Sequence, residues 1–248
     1  MGQAATVPGE TPGPRGLVSI ILPTYNECEV ITQTIKAILE AVPPPIEVIV
    51  VDDDSPDGTW RLVEALQDPR VKAIRRPGTH GLASAINRGL IESRGELVGW
   101  MDADMSMPPN TLPLLIERVK EYDIAIGSRY LPGGRDDRPA FRVIASRLIN
   151  RLATLILGFG ILDYDSGFTV LHRRVFDQVT LMPTGYGSYF MEFMYACRKK
   201  GITVCEVPYT FSDRVIGASK SAPTMWQFLT TGVGYLTRLV VARLRKID

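Results

Sequence analysis

The sequence predicts an α/β fold in which a mostly parallel β-sheet is flanked by helices. Two β-branched runs, Val18–Leu22 and Glu47–Val51, lack polar alternation, as expected for strands that are covered on both faces. Between them, residues Glu29–Ala41 place apolar side chains at helical spacing, and the prolines Pro43–Pro45 end that helix. The order strand, helix, strand indicates a parallel βαβ unit.

The same pattern continues along the chain. A second unit consists of a strand, a helix and a strand at Val71–Ile74, Ala83–Glu92 and Leu97–Met101. Further strand-like runs occupy Asp123–Gly127 and Val204–Phe211, and a helix is predicted over Phe141–Leu157. Repetition of βαβ units places helices on both sides of the sheet, so ligands are expected at the carboxyl ends of its strands.

Composition narrows the class of protein. The 248 residues are 45% hydrophobic and 22% charged with a formal net charge of +1, which is an ordinary globular composition and disfavours nucleic acid as the main partner. The three cysteines are an odd number and form no C-x-x-C pair, which fits a reducing cytosolic compartment better than a disulfide framework. Residues 1–16 are rich in Gly and Pro and read as a disordered tail rather than a signal peptide.

Two predicted apolar helices carry interspersed cations, a pattern that also occurs in helices that bind a membrane surface. The run Met225–Ile247 predicts an amphipathic helix at the C-terminus, within residues 221–248, whose cations gather at its end. It either packs on the core or lies in the interface of anionic lipid, and Phe141–Leu157 carries the same two alternatives. No uncharged run reaches the length that spans a bilayer, so any membrane contact is expected to be peripheral.

Carboxylates collect where three predicted strands end. The turns Pro23–Glu27, Asp52–Gly58 and Asp102–Asp104 each follow a strand and should meet at one sheet edge. Asp102 and Asp104 alone fit a solvated turn as well as a metal site. Because clustered carboxylates repel unless a cation neutralises them, their convergence favours a Mg²⁺ or Mn²⁺ site that also binds substrate phosphates.

Cations complete the predicted crevice. Arg129, Arg214 and Lys220 follow strand-like segments; singly each suits a surface ion pair, but together they suit a clamp for a diphosphate. No Walker A or G-x-G-x-x-G pattern occurs, and neither His80 nor His172 belongs to a nucleophile motif. A nucleotide diphosphate whose departure a metal assists is therefore the favoured ligand.

The motifs resemble those of family 2 glycosyltransferases of the GT-A fold, most of all the dolichol- and polyprenol-phosphate mannose synthases. The resemblance rests on five segments in the same order: Val18–Glu27, Val50–Thr59, Met101–Asp104, Gly127–Tyr130 and Asp213–Lys220. It implies a catalytic domain over residues 17–220 that includes the candidate interfacial helix 141–157.

The resemblance also implies roles for individual residues. It places the donor nucleotide sugar among Pro23, Tyr25, Glu27, Val51, Asp53, Asp102, Ala103, Asp104, Arg129, Arg214 and Lys220. Asp102, Asp104 and Ser106 would lie at the metal, and Arg142 and Ser146 would bind the acceptor phosphate. Asp104, Arg129 and Arg214 would be the catalytic residues. Ser106 and Met107 depart from the Gln and His that relatives often carry, and the Gln-x-x-Arg-Trp motif of processive enzymes is absent.

The expected activity is inverting transfer of mannose from GDP-mannose to a polyprenyl or dolichyl phosphate. A phosphate acceptor is already an anion near neutral pH, so it needs steering cations more than a general base. The expected location is the cytoplasmic face of a membrane, the endoplasmic reticulum or a prokaryotic plasma membrane, with a membrane-anchored partner subunit left open. Two alternatives remain at this point: a transferase that uses a UDP-sugar, and a non-catalytic nucleotide-sugar-binding scaffold.

Overall fold

The computed structural model of the protein describes residues 15–184, 188–213 and 238–244. The described residues form these strands: β1 (Val18–Thr24), β2 (Ile46–Asp52), β3 (Val71–Arg75), β4 (Leu97–Trp100), β5 (Ile124–Ser128), β6 (Arg135–Asp136), β7 (Thr169–His172), β8 (Val204–Pro208) and β9 (Thr210–Phe211). They form these α-helices: α1 (Ile31–Ala41), α2 (Thr59–Ala65), α3 (Leu82–Glu92), α4 (Leu112–Arg118), α5 (Ala140–Leu157) and α6 (Ser188–Lys199). Residues 238–244 are also helical.

Seven of these strands form the central sheet in the order β3-β2-β1-β4-β7-β5-β8. All neighbours pair in parallel except at β7, which is antiparallel to β4 and to β5. The predicted α/β fold with a mostly parallel sheet is thus confirmed. The strand β7 was not predicted, because its four residues lack alternation and are too short to separate from a helix segment.

The strand-like run Val204–Phe211 is divided rather than continuous. β8 ends at Pro208, and the next strand, β9, pairs with β6 in a separate two-stranded sheet. Between them, the Tyr209 N–H donates to the Ser128 carbonyl and the Tyr209 carbonyl accepts from the Arg135 N–H. The chain therefore changes partner at Tyr209, immediately beyond the carboxyl end of β5.

Helices cover both faces of the central sheet, as predicted from strands in which polar and apolar residues do not alternate. Ile20 and Val48 face a core formed with α1 and α4, whereas Ile21 and Ile49 face a core formed with α3, α5 and α6. The second core also receives Leu239 and Ala242 of the segment 238–244. That part of the predicted C-terminal helix packs on the core, and the rest of it lies outside the described residues.

None of the described helices is long and apolar enough to cross a bilayer. The predicted tail of residues 1–16 lies outside the described residues except for Arg15 and Gly16.

Asp123 joins three strands where β5 begins. Its carboxylate accepts hydrogen bonds from the Thr203 N–H and hydroxyl and pairs with Arg174, while its carbonyl accepts from the His172 N–H. Partial burial disfavours the charge, but the Thr203 hydrogen bonds and Arg174 outweigh it and lower the pKa of Asp123 to about 2.

We expect Asp123→Asn to lower the free energy of unfolding at pH 7 by about 1 kcal/mol, since solvent screens part of the effect. Because the pKa of Asp123 is lower in the folded state, its carboxylate stabilises the fold above the unfolded value of 3.8. This contribution is lost as the pH falls through about 2. Urea unfolding between pH 2 and 7 measures both. The prediction is wrong if the difference between wild type and variant is as large at pH 2 as at pH 7.

Candidate active site

Asp52 organises the two turns that follow β1 and β2. Its fully buried carboxylate accepts hydrogen bonds from the Thr24 hydroxyl at 2.8 Å, the Ser55 N–H at 2.8 Å and the Ser55 hydroxyl at 2.6 Å. The Ser55 hydroxyl oxygen in turn accepts from the Asn26 N–H. The first aspartate of the 52–54 run is thus fully used in holding the turns together.

Asp57 fixes the same turns from the other side. It accepts from the Thr59 N–H and hydroxyl at the start of α2 and from the Cys28 N–H at 3.0 Å. Burial alone would raise the pKa of Asp57, but the Thr59 and Cys28 hydrogen bonds hold it below its usual value. The turn after β1 is closed by the Glu27 N–H, which donates to the Thr59 hydroxyl at 2.9 Å.

Asp53 lies in a buried ion pair with Arg76. The second carboxylate oxygen of Asp53 accepts from the Gly81 N–H at 2.7 Å, and Arg76 also donates to the Gly81 carbonyl. Gly81 has φ of +134°, which favours glycine because it has no Cβ. The loop 78–82 is therefore fastened to the turn that follows β2.

The remaining predicted donor residues differ in accessibility. Tyr25 is 43% exposed and meets His80 edge to face, with ring centroids 5.8 Å apart. Glu27 is buried, and Val51 is fully enclosed in the core, with neither its side chain nor its backbone exposed. Pro23 is half-buried at the end of β1.

Asp102 and Asp104 lie in a tight turn beyond β4. The Ala103 carbonyl accepts from the Thr34 hydroxyl at 2.7 Å, which ties this turn to α1. Asp104 is 4% exposed, and its Oδ1 accepts from the Ser106 N–H at 3.0 Å and the Ser106 hydroxyl at 2.5 Å. Asp102 is half-buried. The turn thus presents two carboxylates whose backbone is fixed.

The carboxylate oxygens of Asp102 and Asp104 fit a hard divalent cation. Within the described ranges, no group of three or more His, Cys, Asp or Glu side chains is placed to hold a metal. Mg²⁺ usually uses one or two carboxylates together with substrate phosphates, and Asp102 with Asp104 supplies that number. The Ser106 hydroxyl donates its hydrogen to Asp104, which makes it a group that orients this carboxylate.

Arg129 is buried in a bidentate ion pair with Asp163. Its Nε and Nη2 donate to the two carboxylate oxygens at 2.8 and 2.7 Å, and its backbone N–H donates to the same carboxylate at 2.9 Å. Burial disfavours the guanidinium charge, but pairing with Asp163 outweighs it and raises the pKa of Arg129. The structure therefore gives the predicted phosphate-binding cation an internal partner that the sequence did not reveal.

The helix α5 is joined to this ion pair. Asn150 donates to the Ser146 carbonyl at 3.0 Å, and its side-chain oxygen accepts from the Asp165 N–H at 3.1 Å. The Asp165 carbonyl accepts from Arg129 at 3.1 Å. Ser146 and the half-buried Arg142, the predicted acceptor residues, are thus carried by a helix that contacts the loop around Arg129.

Two buried hydroxyls near Arg129 have no hydrogen-bond partner among the described residues: Ser146 Oγ and Tyr209 Oη. Sequence reasoning missed Tyr209 because it lies inside the predicted strand-like run Val204–Phe211, which the structure divides after Pro208. Burial raises the pKa of Tyr209; Asp163 and Asp102 add to the rise, and Arg129 and the Ser166 hydroxyl oppose it. Tyr209 packs on the Phe211 ring, and the Arg129 guanidinium lies over the same ring.

Arg214 and Lys220 lie outside the described residues, so their predicted contacts with phosphate stay predictions. The structure brings together the other predicted residues at one edge, from the turns after β1, β2, β4 and β5 and from α5.

A mostly parallel sheet with polar turns at the carboxyl ends of its strands is typical of nucleotide-binding α/β enzymes, and the chain belongs to glycosyl transferase family 2. The family profile matches residues 19–180. The fold is that of GT-A enzymes: glucosyl-3-phosphoglycerate synthase from Mycobacterium tuberculosis, solved with Mn²⁺, UDP and phosphoglyceric acid, superposes with a TM-score of 0.71. It shares 17% identity and covers 94% of this chain and 80% of its own.

Relatives of known name are more similar in sequence. The dolichol-phosphate mannosyltransferase of Pyrococcus furiosus is 40% identical over 220 residues, 86% of this chain; the chain spans 61% of that protein. The undecaprenyl-phosphate mannosyltransferase of Micrococcus luteus is 35% identical, over 82% of this chain and 86% of the relative. The polyprenol monophosphomannose synthase of Mycolicibacterium smegmatis is 36% identical, over 86% and 84% respectively.

We expect Asp163→Asn to lower the free energy of unfolding by about 3–5 kcal/mol, because it leaves the Arg129 charge buried without its partner. The matched control is Asp137→Asn, which breaks the exposed Arg135–Asp137 pair and should cost about 0–1 kcal/mol. Urea unfolding followed by circular dichroism measures both. Equal costs for the two variants would contradict a structural role for the buried pair.

Proposed function

We propose that this protein transfers mannose from GDP-mannose to a polyprenyl phosphate, with inversion at the anomeric carbon, to give a β-linked polyprenyl phosphate mannose. The observation that carries the proposal is the meeting of the Asp102–Asp104 turn, Arg129 and the Ser146 face of α5 at one sheet edge. The three similar proteins, all named as mannose transferases to lipid phosphates, support the choice of sugar and acceptor.

The donor lies, in this proposal, across the turns after β1, β2 and β4. Tyr25 offers an exposed ring for the base, and Pro23, Glu27, Val51, Asp53 and Ala103 are proposed to surround the base and ribose. Asp53 acts there through the loop that it holds, because its carboxylate oxygens already contact Arg76 and the Gly81 N–H. Arg214 and Lys220 are proposed to bind the diphosphate.

Mg²⁺ or Mn²⁺ is the proposed cofactor, and when bound it neutralises charge on the departing nucleotide diphosphate. Asp102 and Asp104 are proposed to hold it. Ser106, which the family resemblance places at the metal, is proposed to act through Asp104, since its hydroxyl donates to the carboxylate at 2.5 Å. Structures of the mycobacterial fold neighbour with Mn²⁺ and with Mg²⁺ are in keeping with this choice.

The acceptor phosphate is proposed to lie against Arg142 and Ser146 on α5, with Arg129 and Arg214 nearby. Because the acceptor is already an anion, these residues bind and orient it and no side chain needs to remove a proton. The unpartnered Ser146 hydroxyl supports the assignment, since buried hydroxyls in folded proteins nearly always have a partner.

The membrane surface is the proposed location, reached through α5. Phe141, Ile144, Leu148 and Leu155 are all exposed, and a helix with 3.6 residues per turn places them on one narrow stripe. Arg147 and Arg151 border this stripe on one side and are exposed. Apolar residues that enter the lipid and cations that meet anionic headgroups are typical of an interfacial helix. A cytoplasmic membrane face and a membrane-anchored partner subunit remain part of the proposal.

We expect the purified protein to transfer label from radiolabelled GDP-mannose to polyprenyl phosphate when Mg²⁺ or Mn²⁺ is present. The labelled product should extract into organic solvent. A panel of UDP-sugars in parallel identifies the nucleotide and the sugar. We expect chelation of divalent ions or Asp104→Asn to reduce the rate at least 100-fold, since charge stabilisation of this kind is worth several kcal/mol.

Glu117→Gln is the matched control for this experiment, because it removes an exposed carboxylate of α4 away from the edge. Its rate should equal that of wild type. Absence of label with every nucleotide sugar would refute the proposed function, and label from a UDP-sugar alone would replace the donor.

Vesicles with anionic lipid test the α5 surface. We expect Ile144→Asp and Leu148→Asp, which place charge at positions 67% and 58% exposed, to reduce co-flotation with vesicles about tenfold or more. Leu114→Asp on α4, at a position 56% exposed, is the matched control and should float like wild type. Equal loss in all three variants, or in none, would contradict binding through α5.

A further inference from the structure

Tyr209 is a buried residue with no role so far in the proposed reaction. It lies between β8 and β9, and its backbone is held by hydrogen bonds to Ser128 and Arg135, the two ends of the loop that carries Arg129. Its side chain is 4% exposed. The residue is therefore fixed to the same loop as the buried cation.

The ring of Tyr209 is positioned by close packing. It meets Phe168 edge to face at 5.4 Å and Phe211 at 6.3 Å. Gly127 permits this approach, because a Cβ at Gly127 would lie 3.0 Å from two Tyr209 ring carbons. The ring therefore has little freedom to turn its hydroxyl elsewhere.

The hydroxyl has no hydrogen-bond partner among the described residues. The Ser166 hydroxyl oxygen, which is near, accepts from the Phe168 N–H at 3.2 Å. Hydrophobic packing does not explain a hydroxyl at this place, since phenylalanine would fill the same volume without burying an unsatisfied polar group. A buried hydroxyl that the protein leaves without a partner is suited to an oxygen atom of a ligand.

The Phe211 ring links the phenol to the buried cation. The Arg129 guanidinium lies 5.5 Å from the centroid of the Phe211 ring, and Tyr209 packs on the same ring, so Tyr209 and Arg129 are neighbours. The other hydroxyl without a hydrogen-bond partner among the described residues, Ser146 Oγ, lies near Tyr130, whose ring centroid is 5.2 Å from the Arg129 guanidinium.

We propose that Tyr209 is a substrate-binding residue whose hydroxyl donates a hydrogen bond to a phosphate oxygen held beside Arg129. The inference rests on the proposed function, and the phosphate belongs either to the sugar donor or to the lipid acceptor. In both cases the phenol stays protonated and makes no covalent bond.

Tyr209→Phe tests the role, because it keeps the ring packing and removes only the hydroxyl. We expect kcat/KM to fall about tenfold or more and the melting temperature to stay equal or rise, since an unsatisfied buried hydroxyl disappears. A rise in the KM for GDP-mannose alone assigns the hydroxyl to the donor, and a rise in the KM for polyprenyl phosphate alone assigns it to the acceptor.

Tyr195→Phe is the matched control. Tyr195 lies on α6, and its buried hydroxyl accepts a hydrogen bond from Arg243 at 2.9 Å. This variant should therefore lose stability and keep wild-type kinetics. Unchanged kinetics in Tyr209→Phe beside an active wild type would overturn the role of Tyr209 and leave the proposed function standing. A wild type that transfers no sugar from any donor would overturn both.

Discussion

The parallel direction of β1, β2, β4, β5 and β8 gathers their polar loops at one edge of the sheet, and the charge collected there must be balanced within a mostly buried space. Two buried ion pairs meet part of this demand. Asp53 pairs with Arg76, and Arg129 pairs with Asp163. The carboxylates of Asp102 and Asp104 come from a separate turn, and in the proposed reaction they hold a divalent cation. In this account the charges that build the edge are distinct from the charges that are proposed to serve a substrate.

The helix α5 joins two of these tasks. One of its faces buries Ser146 and Asn150, and Asn150 contacts Asp165 in the loop that holds Arg129. The opposite face exposes the apolar stripe of Phe141, Ile144, Leu148 and Leu155. A lipid acceptor has its phosphate at the membrane surface, so a helix with these two faces is suited to bring that phosphate beside the crevice.

The sequence was sufficient for the parallel sheet and for the polar loops at its edge, because both follow from local patterns. It was insufficient for the partners of individual charges. Asp52, Asp53 and Asp54 look alike in sequence, yet they bind Ser55, Arg76 and Arg75 respectively. Arg129 was expected to face phosphate, but Asp163 reaches it from the loop before β7, an antiparallel strand that four unalternating residues did not reveal. Long-range pairing of this kind requires the topology, which local periodicity does not determine.

The central claim is that Asp102 and Asp104 hold a divalent ion together with a nucleotide diphosphate. Electron paramagnetic resonance of Mn²⁺ measures this directly, since free and bound Mn²⁺ give separable signals. We predict that the full chain with GDP removes the free Mn²⁺ signal at a stoichiometry of about one and that Asp102→Asn abolishes this effect. Undiminished free Mn²⁺ at saturating GDP, with GDP bound equally well in the presence of a chelator, would contradict the account.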